Sequence, residues 1–140
     1  MAFLIDTNVI SETFRPRPNP RALEWIGRQM SSDLFLAAVS LGELVRGARR
    51  VKNTARQERL ARWINHDLTA QFQDRILPFD REAAVIWGAI MGEGDRTGRP
   101  KPMADAQIAA VALRNGLTLA TRNIRDFTDM QVTLVDPWAA

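Results

Sequence analysis

Short apolar runs alternate with segments that carry helix signals, and this alternation restricts the fold more than any other feature of the chain. Strands that alternate with helices indicate βαβ units, which form a parallel sheet covered by helices on both faces. A length of 140 residues leaves room for one domain. The sequence therefore predicts an α/β fold, a single-domain α/β/α sandwich over residues 1–140 with a central parallel sheet of about five strands. The predicted strands are Phe3–Ile5, Leu34–Val39, Ile76–Phe79, Leu117–Thr121 and Val132–Val135.

Capping residues, prolines and glycines mark the helix boundaries. Ser40 and Glu43 fit a capping box, which predicts a long helix running from there through an Arg-rich stretch. Asn115-Gly116 has the composition of a helix stop. The other predicted helices run from Asn19-Pro20 to about Met30, from Asp80 to about Glu93 and from Pro102 to Asn115, with Thr7–Glu12 as a turn and Gly94–Lys101 as a loop.

Composition excludes several kinds of site. The chain has no cysteine and a single histidine, His66, which is expected on the surface. Disulfides, thiolate catalysis and most zinc sites are thereby excluded. No apolar run approaches the ~20 residues of a membrane span, and the first residues lack the charged start of a signal peptide. We therefore expect a cytoplasmic protein that makes no membrane contact.

Acidic residues beyond strand ends are the candidate functional groups, because ligands of open α/β sheets bind there. Asp6 ends the first strand and has two interpretations, a cap for the following turn or a ligand. Asp105 shares a helix face with Ile108 and Ala112, so either helix N-terminal amides or a functional partner must stabilise it near the core. Glu43 lies opposite the apolar side of its helix, and its spacing favours a capping or solvated residue.

Asn123 and Asp126 follow a predicted strand, where a ligand could be reached, although Asp126 fits a cap or turn equally well. Carboxylates that converge repel one another unless they are protonated or neutralised by a cation. Oxygen ligands without histidine or cysteine select a hard ion, Mg²⁺ or Mn²⁺. Such an ion can polarise a phosphodiester and lower the pKa of water, which supplies a nucleophile without a histidine base.

Six motifs stand in a fixed order along nearly the whole chain. They are Leu4–Ser11, Ser40–Gly47, Ile76–Asp80, Met103–Ala110, Leu119–Asn123 and Asp136–Trp138. Asp-Thr-Asn alone would be a weak signal, but the ordered set resembles the PIN-domain family, in particular the VapC/FitB-like toxins of bacterial toxin–antitoxin pairs. The resemblance implies an α/β/α sandwich with an endoribonuclease site that depends on Mg²⁺ or Mn²⁺.

The resemblance also implies roles for individual residues. The catalytic and metal-binding acids of the family match Asp6, Glu43 and Asp105, with Glu43 binding the ion or orienting the attacking water. Polar positions that order the site match Thr7, Asn8 and Thr121. Where many relatives carry a fourth acid, this chain has Asn123, a neutral metal ligand that weakens a second metal site; Asp126 is the candidate to compensate.

The implied partners are a single-stranded RNA substrate and a cognate antitoxin whose tail covers the acidic groove, in a homodimer or a heterotetramer or hetero-octamer with the antitoxin. Residues 46–62 contain seven cations and one acid, a local charge of +6, whereas the rest of the chain carries −3. Arg46, Arg49 and Arg50 are the predicted RNA-binding residues, and a merely solvated Arg-rich face is the alternative. The four tryptophans could stack on bases, although Trp87 is more typical of a core residue.

Two other functions remain open at this stage. A PIN fold with weak catalysis could serve as an RNA-binding or interaction module. A phosphoacceptor signalling domain also places acids beyond parallel strands, but it normally needs an adjacent acidic pair and a late lysine. Here Asp6 is followed by Thr7, and Lys101 precedes a helix, which disfavours that function.

Overall fold

One parallel sheet forms the middle layer of the molecule, and the computed structural model describes all of residues 1–140. The strand order is β3-β2-β1-β4-β5, and every neighbouring pair is parallel. The predicted sandwich architecture and the number of strands are therefore confirmed. The strands are β1 (Phe3–Ile5), β2 (Leu34–Ala37), β3 (Ile76–Leu77), β4 (Thr118–Ala120) and β5 (Leu134–Val135).

Helices cover both faces of this sheet. They are α1 (Thr7–Phe14), α2 (Pro20–Arg28), α3 (Ala38–Arg49), α4 (Thr54–Arg62), α5 (Thr69–Phe72), α6 (Arg81–Arg96), α7 (Met103–Arg114) and α8 (Ile124–Phe127). A π-helical stretch, Trp63–Leu68, joins α4 to α5 without a break. None of the helices is both long enough and apolar enough to cross a membrane.

Side-chain alternation along the strands divides the core between the two faces. Phe3 and Ile5 belong to an apolar cluster with α1, α2 and the α3–α5 region, whereas Leu4 between them belongs to a cluster with α6, α7 and α8. All three residues of β1 are buried. Successive side chains of a strand point to opposite faces, so a continuous apolar run is what a central parallel strand requires.

The predicted turn after β1 is wrong, because Thr7–Phe14 forms an eight-residue helix. Asp6 caps its N-terminus, and Val9 and Ile10 are buried against the sheet. The segment is short and contains several polar residues, so its helical character depends on tertiary burial rather than on local preference.

The predicted capping box at Ser40 is also wrong. The helix α3 begins at Ala38, so Ser40 lies inside its first turn, where its hydroxyl is fully buried and has no hydrogen-bond partner. The predicted long helix through the arginines is interrupted after Arg49, and Asn53 caps a new helix by accepting a hydrogen bond from the Arg56 N–H at 2.9 Å. Two helices therefore replace the predicted one.

The other helix predictions differ from the structure only at their ends. The loop predicted from Gly94 begins later, because α6 continues to Arg96. A Cβ at Gly94 would lie 2.7 Å from the Arg99 carbonyl oxygen, so the chain turns back here only because this residue lacks a side chain. Gly116 has φ +64° directly after α7 and stops that helix as predicted.

The strand order creates a topological switch point beside β1. The chain moves from β1 to β2 on one side, and it later returns to place β4 on the other side. Ligands of open α/β sheets bind in the crevice that such a reversal opens at the carboxyl ends of the strands. The residues that follow β1 and β4, Asp6 and Thr121, therefore occupy the favoured position for a functional site.

Candidate active site

Parallel register places Asp6 and Thr121 side by side. Ile5 pairs with Ala120, and the Asp6 backbone N–H donates to the Ala120 carbonyl at 2.9 Å. The next residue on each strand then meets its neighbour, and the Thr121 hydroxyl donates to Asp6 Oδ2 at 2.7 Å. Sheet register thus builds the centre of the site from residues 115 positions apart in the chain.

Asp6 is both a helix cap and a buried acid. Its Oδ1 accepts a hydrogen bond from the Thr7 backbone N–H at 2.7 Å, which confirms the cap interpretation. The residue is only 4% exposed. Burial raises the pKa of its carboxyl group, and the charges of Glu43 and Asp126 add to this, while the hydrogen bonds from Thr121 and Thr7 oppose it. A residue that only caps α1 would not need the nearby charges of Glu43 and Asp126, so capping does not account for the whole environment of Asp6.

Asp105 lies in the first turn of α7, half-buried. Because α7 returns from the carboxyl ends of the strands towards their start, its first turn faces the same crevice as Asp6. Burial, followed by the charges of Asp6, Asp126 and Glu43, raises the pKa of Asp105 to about 6. No hydrogen bond lowers this pKa, so the helix amides do not provide the stabilisation that a purely structural role would need.

Glu43 joins the site through α3. Its Oε1 accepts a hydrogen bond from the Thr7 hydroxyl at 2.6 Å, across 36 positions of sequence. The residue is half-buried and caps nothing. Glu43 therefore does not have the capping or solvated role that its spacing favoured, because its carboxylate is hydrogen-bonded to the residue that follows Asp6.

Asn8 and Thr121 hold the site together by hydrogen bonds. The Asn8 amide nitrogen donates to Asp6 Oδ2 at 3.3 Å and to Thr121 Oγ1 at 3.4 Å. Its carbonyl oxygen accepts from the Arg122 backbone N–H at 3.3 Å. Thr121 Oγ1 also accepts from the Asn123 backbone N–H at 3.0 Å. These bonds fix the orientation of the central carboxylate.

Asp126 and Asn123 differ in their relation to the acids. Asp126 is exposed on α8, yet its charge contributes to the raised pKa of both Asp6 and Asp105. Asn123 precedes α8, and its exposed side chain makes no capping hydrogen bond. We name the four acids Asp6, Glu43, Asp105 and Asp126 the acidic cleft.

The donor set of the acidic cleft suits a hard divalent cation. All four groups are carboxylates, and their mutual repulsion is what a cation would relieve. In the positions that their side chains occupy, no three of these carboxyl groups are close enough together to bind one metal ion. Binding of one ion by several of them would therefore need their side chains to rotate; Asp105 is half-buried and Asp126 is exposed.

A second cluster of charge, which we name the basic face, lies on and between α3 and α4. All of its members are exposed, and none forms a salt bridge with any acid of the chain. They are Arg46, Arg49, Arg50, Lys52, Arg56, Arg59 and Arg62. The predicted RNA-binding arginines are thus exposed to water at the C-terminal end of α3, the same helix that carries Glu43. His66 is exposed, as expected.

Two features of the site were not foreseen. The Arg122 guanidinium lies over the Trp138 ring, 5.2 Å from its centroid, next to the Asn8 contact. Phe14 stacks on Trp63 beside Glu43, with ring centroids 4.7 Å apart. If Thr7–Phe14 had been predicted as a helix, Phe14 would have been placed on the same helical face as Ile10, four residues earlier, and could have been recognised as a candidate. Trp87 packs half-buried against the α6–α7 cluster, as its apolar surroundings predicted.

Comparison with known proteins agrees with this architecture. A family model described as PIN domain matches residues 3–132. Toxin FitB of Neisseria gonorrhoeae is 36% identical over 135 residues, covering 96% of this chain and 97% of that protein. VapC ribonuclease Y4jK of Sinorhizobium fredii is 30% identical over 96% of each chain. The crystal structure of FitAcB from Neisseria gonorrhoeae matches with a TM-score of 0.92 and 35% identity over 99% of each chain.

The match to the family model covers nearly the full sheet and all four acids of the cleft. The relatives align over almost their entire length, so the likeness is not confined to one motif. On this basis, the chain belongs to the PIN domain family.

Proposed function

We propose that the protein is an endoribonuclease toxin of a toxin–antitoxin pair and that it hydrolyses phosphodiester bonds of single-stranded RNA with the help of Mg²⁺ or Mn²⁺. The buried, hydrogen-bonded Asp6 at the switch point carries this proposal, together with Glu43, which bonds the neighbouring Thr7 hydroxyl. The charges of these two acids and of Asp126 also act on Asp105. Such a cluster is unfavourable for folding unless a cation or proton neutralises it. The names of the relatives, which include a toxin and a ribonuclease, support the role and the substrate.

The acids have different proposed roles because their environments differ. Asp6 and Asp105 would hold the metal ion, and Asp6 is the more rigid of the two because hydrogen bonds fix both of its oxygens. Glu43 has Oε1 occupied by the Thr7 hydroxyl, which leaves Oε2 to orient the attacking water and take its proton. The bound ion supplies polarisation of the phosphodiester and stabilisation of the negative charge that develops on it.

Asn123 and Asp126 bear on the number of ions. Asn123 lacks a charge, which weakens a second metal site. Asp126 supplies the fourth carboxylate instead, since its charge reaches both Asp6 and Asp105. We expect one tightly held ion and a second that binds weakly or only with the RNA phosphate.

The surroundings of the cleft fit the proposed partners. The C-terminal end of α3, away from the acidic cleft, carries three arginines that contact RNA phosphates: Arg46, Arg49 and Arg50. A cognate antitoxin holds the enzyme inactive in the cytoplasm by covering the cleft, in an assembly built from a toxin homodimer. A basic side chain inserted by the antitoxin would neutralise the same acids that the ion neutralises.

The alternatives lose support at particular residues. Lys101, the only lysine available for a phosphoacceptor domain near α7, forms a salt bridge with Asp129 at 3.2 Å. Asp6 has no adjacent acid and is nearly fully buried. A binding module without catalysis is the second candidate, and the neutral Asn123 is the observation that favours it.

Cleavage of single-stranded RNA with and without Mn²⁺ tests the proposal. Wild-type protein should cut only with the metal. Asp6→Asn and Asp105→Asn should each lose more than ~100-fold of the rate while circular dichroism stays unchanged, because even residues that only orient a metal ligand change affinity or activity by about 10–100-fold. Asp95→Asn, an exposed acid of α6 outside the cleft, is the matched control and should cut normally.

Full activity in both cleft variants contradicts the catalytic proposal. Binding of RNA without cleavage under any metal condition favours the non-catalytic module. Stable labelling of an aspartate by an acyl-phosphate donor indicates a phosphoacceptor domain.

A further inference from the structure

A groove opens beside the acidic cleft between α1, α3 and α4, with a volume of about 220 Å³. Thr7 and Glu43 line it, and both also belong to the proposed active site. The groove is therefore continuous with the place where the scissile phosphate would lie. Its floor is apolar and is formed by Leu44, Ala48, Leu60 and Ile64.

An aromatic pair forms one wall of this groove. The rings of Phe14 and Trp63 are nearly parallel, with an interplanar angle of 22° and centroids 4.7 Å apart. Trp63 is only half-buried, so the pair is accessible from the groove. Successive bases of single-stranded nucleic acids stack on such rings, and every base has a face that can do so. Ser11 adds a hydroxyl that can bond the edge of a base.

The rim of the groove is positively charged. Arg15 and Arg56 both line it. Arg15 pairs with Glu12 at 3.2 Å, whereas Arg56 forms no salt bridge and belongs to the basic face. An apolar floor with a free cation at its edge complements a nucleotide, whose base is flat and apolar on its faces and whose phosphate is anionic. A purely apolar protein segment would make no use of that cation.

We infer that this groove is a nucleotide subsite, which takes one unpaired base of the RNA strand next to the scissile phosphate. The base stacks on the Phe14–Trp63 pair, and Arg56 contacts the adjoining phosphate. The inference rests on the proposed ribonuclease function and extends it, because the groove then determines which phosphodiester enters the acidic cleft. The acids perform the chemistry, and the subsite selects the position.

Filling the groove tests this inference with little disturbance of the fold. Gly47 lines the groove from α3, and a Cβ there meets no atom within 4 Å. Gly47→Leu therefore adds bulk to the groove without removing any existing contact. Gly88→Leu is the matched control, because Gly88 is an exposed helical glycine of α6 that also has open space around its Cβ and lies outside the groove.

Binding is measured by fluorescence anisotropy in the presence of EDTA, with a short single-stranded RNA in which each position in turn is made abasic. In wild type, one abasic position should weaken binding by about 10-fold, in line with a stacking contribution of ~1–3 kcal/mol per base. Gly47→Leu should bind the intact RNA about 10-fold more weakly and should be insensitive to that abasic position. Gly88→Leu should behave like wild type.

Tryptophan fluorescence gives a second readout that does not depend on the filled groove. RNA should quench wild-type fluorescence, and Trp63→Phe should remove most of that quenching while retaining binding, because a phenyl ring still stacks. Trp87→Phe, which changes a tryptophan outside the groove, should leave the quenching in place.

The remaining outcomes overturn the inference. If wild type cleaves the RNA with Mn²⁺ but Gly47→Leu keeps the full affinity and the abasic effect, the subsite is absent and the ribonuclease function stands. If Gly47→Leu weakens binding of a cognate antitoxin and leaves RNA affinity unchanged, the groove is a protein-docking site. If wild type neither binds nor cleaves RNA, the proposed function fails together with the subsite.

Discussion

The acidic cleft and the basic face are both clusters of like charge, and α3 contributes to both, yet they are built in opposite ways. The acids come from the end of β1 and from α3, α7 and α8 to the same side of the sheet, where Asp6 is buried, Glu43 and Asp105 are half-buried, and the charges of the group act on Asp6 and Asp105. The cations of the basic face point away from the protein into water. Exposed charges are screened by solvent and salt, whereas partly buried charges are screened much less.

This difference shows which cluster needs a partner to be stable. The basic face lowers the stability of the fold little, because its charges are screened by water. It is free to bind a polyanion through contacts that weaken as the salt concentration rises. The acidic cleft disfavours its own ionised form, since the pKa of Asp105 is raised to about 6. A site that disfavours its own ionised form is consistent with selection for function rather than stability.

Among variants that leave the four acids in place, the largest expected effect concerns the hydrogen bonds that orient Asp6. Thr121→Val removes the hydroxyl that donates to Asp6 Oδ2 and accepts from the Asn123 N–H. We expect RNA cleavage to fall by about 10–100-fold, the usual effect of losing a residue that orients a metal ligand. Single-turnover cleavage with varied Mn²⁺ measures it. Thr128→Val, an exposed threonine bonded only to the Arg125 carbonyl, is the control, and an equal loss there would show that the effect is not specific to the cleft.

The next effect concerns the basic face. Changing Arg46, Arg49 and Arg50 together to glutamine should weaken binding of single-stranded RNA by about 10-fold at moderate salt. The slope of log affinity against log salt should fall by about 2, since each phosphate contact contributes ~0.7 on a single strand. Titrations at several salt concentrations measure both. The matched control changes three cations of the α2 region, Arg17, Arg21 and Arg28; an equal fall in slope there would mean that RNA does not use the basic face.

A smaller effect appears in the stability of the metal-free protein. The carboxyl group of Asp105 has a folded pKa of about 6 against an ordinary value of 3.8. Between these values the folded state holds more protons than the unfolded state, so stability falls as pH rises through this window. Thermal unfolding in EDTA should show Tm decreasing by a few degrees from pH 4 to pH 7 in wild type relative to Asp105→Asn. If the Tm values of the two proteins change with pH in the same way, the pKa of Asp105 is not raised in the folded state.

Addition of Mn²⁺ at pH 7 extends the same measurement. The ion should raise the Tm of wild type, because a ligand that binds only the folded state stabilises it. Asp105→Asn should show a clearly smaller rise. Mg²⁺ should act in the same direction, whereas Na⁺ at equal ionic strength should not.

The smallest effect lies on α3, between the two clusters. Ser40 has a fully buried hydroxyl without a partner, and an unsatisfied buried polar group costs about 1–3 kcal/mol. Ser40→Ala should therefore raise the free energy of unfolding by roughly 1 kcal/mol, helped by the better helix preference of alanine. Urea denaturation measures the change. Destabilisation instead would mean that the hydroxyl bonds an internal water.

The strands and the later helices were predictable because their signals are local. Phe3–Ile5 is apolar throughout, as a strand buried on both faces must be, and Gly116 ends α7 because it adopts positive φ without strain. The failures also have local causes. Ser40 and Glu43 have the spacing of a capping box, but the helix starts earlier, at Ala38 directly after the buried Ala37. Burial of Val9 and Ile10 turns a predicted turn into α1.

The site shows the same division. Asp6 and Asp105 could be selected from the sequence because one ends a strand and the other heads an apolar helix face. Glu43 could not be selected from its spacing, since only the contact with the Thr7 hydroxyl reveals its role. Residues 36 positions apart meet there because β1 and β2 are neighbours in the sheet.

By itself, the sequence determined the α/β architecture, the oxygen-only chemistry that follows from having no cysteine and one histidine, and the concentration of positive charge in residues 46–62. These are properties of composition and of short-range pattern. Only the tertiary structure decided that four acids share one crevice, that Phe14 stacks on Trp63 beside them, and that the cations have no acidic partners. The physical reason is that electrostatic coupling and stacking depend on distance in space, which strand order and register determine.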